Sequence, residues 1–255
     1  MAMIRPGGEK LTIKLVELAK LPEKAAVLDV GCGDGDTAAL LKERFGCRAI
    51  GIDASGKMIE AGKKKYPGLD LRRMEAEFLD FESRTCDAVL MECSLSVMRL
   101  QPDAVFEAYC VLRPGGKLII TDLYIRNPDP GAVAAMLAAA REQARKPKAE
   151  GSCGEVPPSF VMLDGAFAVD ELAGMCEEIG FELERFEDES GVLAGFAAQA
   201  IMGHGSLEAY FKSVVPEGEE PSAYCACAAF GAGKSCPKNL GYFSMILRKP
   251  EDARK

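Results

Sequence analysis

The stretch Val27-Leu-Asp-Val-Gly31-Cys-Gly33-Asp-Gly35-Asp36-Thr37 constrains this chain more than any other. Apolar residues of strand type run into three glycines at alternate positions, and a helical pattern follows at once. Such a turn lets a ligand approach the backbone where a side chain would clash, and it aims the orphan amides of a helix N-terminus outward. A lone glycine loop is weak evidence of any one ligand, so its neighbours must decide.

The neighbours repeat the same unit. Residues 25–30, 49–52, 69–72, 87–92 and 117–122 read as short, mostly apolar strands bounded by Gly, Pro or Asp, as buried parallel strands are. Helical patterns at 36–45, 55–66 and 104–112 lie between them, with a weaker one at 76–81, and a helix at 9–19 precedes the set. This alternation predicts an α/β fold of right-handed βαβ units, with helices on both faces of one sheet. Beyond Asp122 the expected elements are helices at 131–146, 169–179 and 192–212 and strands at 181–186 and 242–248. Two irregular stretches, 146–160 and 215–240, interrupt them. No internal repeat or linker divides the chain, which favours a single domain over 1–255. Its core is expected at about 25–124, with elaborations at 125–160 and 213–240 that cover the substrate.

Composition narrows the partners. Of 255 residues, 48% are hydrophobic and 27% charged, which excludes wholesale disorder. The 39 acidic against 31 basic residues give a net charge of −8, a poor match for phosphate backbones or anionic lipid. The basic run Lys63-Lys64-Lys65 ends a predicted helix, where it complements the dipole. The first ten residues lack an apolar signal core, and the richest apolar stretches are too short or interrupted to span a bilayer. The expectation is a cytoplasmic protein whose ten cysteines are reduced thiols.

Charge also separates two readings of the glycine loop. A dinucleotide fingerprint requires Gly or Ala where this chain has Asp36, and Asp34 and Asp36 would face a pyrophosphate with like charge. S-adenosylmethionine carries a sulfonium and an ammonium instead, and acidic neighbours suit it. Asp53 follows Gly31 at the separation that places a carboxylate on the ribose hydroxyls of a nucleoside. The competing reading of Asp53 is a strand-end carboxylate that caps the next helix. For Met58, adenine contact and core packing are equally open.

At these residues the chain resembles class I S-adenosylmethionine-dependent methyltransferases. Val27–Thr37, Gly51–Met58, Met74-Glu75-Ala76-Glu77, Cys86-Asp87-Ala88-Val89 and Val111-Leu112-Arg113-Pro114-Gly115-Gly116-Lys117 look like that family's successive motifs, in order, across about 25–122. The resemblance implies a Rossmann-like, seven-stranded, mostly parallel sheet in the order 3-2-1-4-5-7-6, with the last strand antiparallel. It implies a cofactor set of Asp29, Gly31, Cys32, Gly33, Asp53, Ala54, Met58, Glu75, Ala76, Glu77 and Glu92. In it Gly31 and Gly33 line the methionine moiety, Asp29 supports their loop and Asp53 takes the ribose. Glu75 and Ala76 meet the adenine, and the Glu92 backbone meets the ammonium. S-adenosyl-L-homocysteine is then the product. Within the family the chain is most similar to the branch of ubiquinone/menaquinone and arsenite methyltransferases.

Methyl transfer is an in-line displacement, and it needs a base only when the nucleophile arrives protonated. No base is unambiguous; Cys93, Tyr124 and His204 are the candidates. The segment after the fourth strand lacks the Asn/Asp-Pro-Pro-Tyr of amino-methylating DNA enzymes, so a small-molecule acceptor is expected, with no nucleic acid and no membrane span. Cys47, Cys86, Cys110 and Cys176 read as core filler. Cys153, Cys225, Cys227 and Cys236 are candidates for metal or metalloid, although Cys-x-Cys-x8-Cys is no recognised zinc pattern. Two alternatives therefore stand beside a small-molecule methyltransferase. One is an arsenite methyltransferase; the other is a non-catalytic, cysteine-rich metal-binding protein on the same fold.

Overall fold

The computed structural model describes residues 5–144, 162–163, 166–215 and 239–252. Helix α1 (Gly8–Ala19) is followed by strands and helices that alternate except between the third and fourth strands: β1 (Ala26–Val30), α2 (Asp36–Phe45), β2 (Arg48–Asp53), α3 (Gly56–Lys65), β3 (Asp70–Arg73), β4 (Cys86–Glu92), α4 (Gln101–Val111) and β5 (Leu112–Ile125). Then come α5 (Pro130–Ala144), a hairpin of β6 (Met162–Leu163) and β7 (Ala166–Phe167), α6 (Val169–Ile179), β8 (Glu182–Asp188), α7 (Ser190–His204), α8 (Leu207–Val214) and β9 (Leu240–Arg248).

Strands β3, β2, β1, β4 and β5 pair in parallel in that order, and β9 inserts antiparallel between β5 and β8. This is the Rossmann-like sheet expected from the motifs. The small β6–β7 hairpin lies outside the expected order. It joins β5 at Tyr124–Phe167, just past Thr121, where β4 ends at Glu92. It thus extends the sheet on the side where strand carboxyl ends open.

Alternation along the strands feeds two cores. Leu28, Val30, Val89, Met91, Leu118 and Ile120 face one layer with the buried residues of α4 and α6. Val27, Ala88, Leu90, Ile119 and Leu123 face the other, with α1, Leu41 of α2 and Phe211 of α8. Burial on both faces is why these strands read as continuous apolar runs.

Local details depart from expectation. No helix forms at 76–81: the Glu77 carboxylate accepts from the Arg99 and Leu100 amides at 3.0 Å each and holds the segment as a turn. The helix expected at 192–212 is two helices. Gly205 takes a left-handed φ of 82°, and Ser206 restarts the chain by accepting from the Ala209 amide at 3.0 Å. Among the described residues, no helix is long and apolar enough to cross a membrane.

Candidate cofactor site

A cavity of about 380 Å³ opens at the carboxyl ends of β1, β2 and β4. All eleven residues of the expected cofactor set line it. Seven acidic side chains face two basic ones, Arg5 and Arg99, across this space.

The glycine loop is built by contact as much as by ligand access. Gly31 has a φ of 76°, and a Cβ placed there would stand 2.4 Å from the Ser94 Cβ. Ser94 in turn donates to the Val30 carbonyl at 2.8 Å, locking the end of β4 onto the end of β1. Gly62 does the same service for α3, since a Cβ there would meet the Asp34 carbonyl at 2.6 Å.

Asp53 lines the cavity and ties two loops together. Its two oxygens accept from the Gly33 and Ser55 amides at 2.8 Å each, joining the glycine loop to the start of α3. Burial pushes this carboxyl up, and the two amides hold it back. Met58 is buried, with its Cε 3.2 Å from a Cβ placed on Gly33, so it packs on the loop and lines the cavity at once. Glu75 is exposed and Ala76 buried at the far end. Glu77 also lines the cavity, but its Oε1 is taken by the Arg99 and Leu100 amides described above.

The opposite end holds a buried polar knot that the sequence did not announce. The Glu92 carboxylate meets Arg5 at 2.8 Å and accepts from Thr12 at 3.0 Å and Thr37 at 3.2 Å. Arg5 also donates to Thr37 at 2.9 Å and contacts Thr12. Beside this knot, Asp29 is buried, and its Oδ2 has no hydrogen-bond partner among the described residues. Burial, and then the negative charge of Glu92, push the Asp29 carboxyl up to about 8 against the opposing pull of Arg5.

Acidity around the loop is less available than the residue count suggests. Lys65 bonds to Asp34 at 2.8 Å and to Asp36, so the lysine expected to serve only the helix dipole neutralises this pair. Despite the cost of its burial, these carboxylates raise Lys65 above the ordinary lysine range. Tyr66 donates to Asp36 at 2.8 Å, and burial together with that contact pushes its hydroxyl up to about 12.

Of the three candidate bases, the structure brings only Cys93 to the cavity, at a strained φ of 57°. Tyr124 stands away from the cavity lining. Its ring packs edge-on against Phe186 and Phe243 at 5.9 and 6.0 Å, and its hydroxyl engages Asp188 and Ser190. His204 is exposed at the end of α7, edge-on to Tyr210. Cys47, Cys86 and Cys176 are buried as expected, whereas Cys110 is half-buried. Cys153, Cys225, Cys227 and Cys236 lie outside the described residues. Among the described residues, no group of three or more His, Cys, Asp or Glu is placed to hold a metal ion.

Residues 27–116 match the family model described as a methyltransferase domain. The chain is 31% identical to the ubiquinone/menaquinone biosynthesis C-methyltransferase of Blochmanniella floridana, over 44% of this chain and 47% of that protein. It is 32% identical to phosphoethanolamine N-methyltransferase 3 of Arabidopsis thaliana, over 49% of this chain and 26% of that one. The matches span about half or less of the length of such curated relatives. Among solved structures, Haemonchus contortus phosphoethanolamine N-methyltransferase 2, in complex with S-adenosyl-L-methionine, superposes with a TM-score of 0.66 at 16% identity. That likeness covers 98% of this chain and 54% of the other, and it speaks for the fold alone. Motif order, sheet order and cavity position agree with that match: residues 27–116 are similar to a methyltransferase domain, set on a Rossmann-like fold.

Proposed function

We propose that this chain transfers a methyl group from S-adenosylmethionine to a small-molecule acceptor. The observation that carries the reading is the cavity, which gathers every residue of the expected cofactor set at the carboxyl ends of three adjacent parallel strands. Open α/β sheets bind their ligands at such a place. The donor set also suits this cofactor. One end offers a ribose-type carboxylate, Asp53, and an apolar contact, Met58; the other offers carboxylates beside a guanidinium for an amino-acid moiety.

When bound, the cofactor supplies an activated methyl group on a positively charged sulfur. Asp53 holds the sugar, while Gly31 and Gly33 leave room for the amino-acid portion. Met58 and Ala76 flank the base. The excess of acidic over basic groups around the cavity favours a cationic ligand. We place acceptor entry beside Cys93, Val97 and Met98, which line the cavity. We place catalysis in alignment, with Cys93 as the one candidate base that lines the cavity.

Related proteins bear names for phosphoethanolamine and for menaquinone precursors, and both acceptor classes extend to this chain as proposals. Arsenite is a third, in which Cys93 would supply one thiolate. The whole chain is proposed as one domain, with 125–160 and 213–240 over the acceptor; 145–161 and 216–238 lie outside the described residues. The test is methyl transfer from labelled cofactor to a panel holding phosphoethanolamine, a demethylmenaquinone analogue and arsenite with a thiol. Calorimetry with the cofactor and metal analysis of anaerobically purified protein accompany it. Absence of cofactor binding beside stoichiometric thiol-bound metal would replace this reading with that of a metal-binding protein.

A further inference from the structure

Three consecutive lysines end α3. Lys63 and Lys64 are exposed, whereas Lys65 is half-buried and turned toward the glycine loop. Gly62 makes that approach possible, because α3 lies so close to the loop that a Cβ on Gly62 would stand 2.6 Å from the Asp34 carbonyl. Almost one turn later, Lys65 bonds to the Asp34 carboxylate at 2.8 Å and also to Asp36, the first residue of α2. Tyr66 adds a hydrogen bond to Asp36 at 2.8 Å. Asp34 and Asp36 line the cavity, and Lys65 is not among its lining residues. The side chains of Lys65, Asp34 and Asp36 are 24%, 22% and 16% exposed, so water screens their charges only in part. Although burial opposes it, bonding to both carboxylates holds the Lys65 ammonium charged well above the ordinary lysine range. Two negative charges on the cavity wall are therefore offset by one positive charge from a neighbouring helix end.

We propose that Lys65 sets how strongly the cavity prefers S-adenosylmethionine over S-adenosylhomocysteine. The two ligands share their nucleoside and amino-acid ends and differ at sulfur, where one carries a sulfonium and a methyl group and the other a neutral thioether. Contacts to the shared parts act on both alike. The potential set by the wall acts on the sulfonium alone. By offsetting part of the charge on Asp34 and Asp36, Lys65 holds the preference for the cation down and leaves the neutral ligand able to compete. Without the lysine charge the wall gains one net negative charge, which draws the sulfonium and has little effect on the thioether. A partly screened unit charge at such a site is worth about threefold in the ratio of the two dissociation constants. This role rests on the cofactor reading above, and it belongs to a side chain that need not touch the ligand.

The test is calorimetric titration of the full chain with each ligand near neutral pH, at low and at high salt. Lys65→Met is expected to raise the ratio of the S-adenosylhomocysteine to the S-adenosylmethionine dissociation constant about threefold at low salt, and by less at high salt. Asp34→Asn removes charge of the opposite sign and is expected to lower that ratio by a similar factor. Lys65→Arg keeps the charge and is expected to keep the ratio. A purely structural role moves both dissociation constants together, so an unchanged or lowered ratio in Lys65→Met overturns the inference and leaves the cofactor reading standing. Should Lys65→Met fail to fold, Asp34→Asn decides: a lowered ratio supports the inference, and any other result overturns it. Failure of the unaltered chain to bind either ligand overturns the cofactor reading, and the inference falls with it.

Discussion

The guanidinium of Arg5 and the carboxylate of Glu92 meet at 2.8 Å on the cavity floor, with side chains 9% and 2% exposed. Neither belongs to the other's element: Arg5 precedes α1, and Glu92 ends β4. Their contact ties the N-terminal segment to the centre of the sheet. Thr12 of α1 and Thr37 of α2 complete the shell around Glu92.

Breaking one partner of such a pair strands the other charge. Arg5→Met is expected to destabilise the ligand-free chain by roughly 3–5 kcal/mol. In Arg5→Met/Glu92→Gln the stranded charge is gone, and most of that loss is expected to return. Urea unfolding of both variants checks this; equal losses in the single and double variants would show that the stranded Glu92 charge is not the source of the cost.

Asp29 links folding to pH in a direction opposite to most carboxylates. Its folded value near 8 exceeds the ordinary 3.8, so between these values the folded chain binds the proton and the unfolded chain does not. Stability from this group is full below about pH 4 and declines as pH rises toward 8. Asp29→Asn is therefore expected to match the parent near pH 4 and to exceed it at pH 8, by on the order of a few kcal/mol. Urea midpoints of the ligand-free proteins at the two pH values decide it.

For Asp53 the expected readout is cofactor affinity. Asp53→Ala removes charged hydrogen bonds worth about 2–3 kcal/mol, or about 30–150-fold in dissociation constant. It also frees the Gly33 and Ser55 amides, so a drop in melting temperature is expected alongside. Unchanged affinity for S-adenosylhomocysteine would remove Asp53 from the site.

Gly31→Ala forces a Cβ against Ser94 at a left-handed φ. A cost of about 1–3 kcal/mol is expected from strain. The steric share is relieved by Ser94→Gly in the same chain, and the conformational share is not. A double-mutant cycle in urea measures that coupling; strict additivity would mean that the loop has room to move.

Much of the fold was legible because it is written in short-range signals. Alternating apolar strands and amphipathic helices, each bounded by Gly, Pro or Asp, announced β1 to β5 and their helices. The register of five motifs announced the sheet order. Two of the missed details are local competitions. Glu77 found backbone donors at Arg99 and Leu100 that outweighed helix formation at 76–81, and Gly205 outweighed the apolar run on either side of it.

In the site, the residues nearest the glycine loop were readable for the same reason: Gly31, Gly33, Asp53 and Met58 sit at spacings set by a strand, a turn and a helix start. From sequence alone came the chain's α/β class, the residues that line its cavity and the excess of acid around them. Tertiary structure decided what that acid does. Lys65 bridges Asp34 and Asp36, Arg5 holds Glu92, and Asp29 keeps a buried oxygen unmatched among the described residues. Charge balance in a buried site depends on side chains that arrive from distant segments, and a count along the chain cannot show which of them meet.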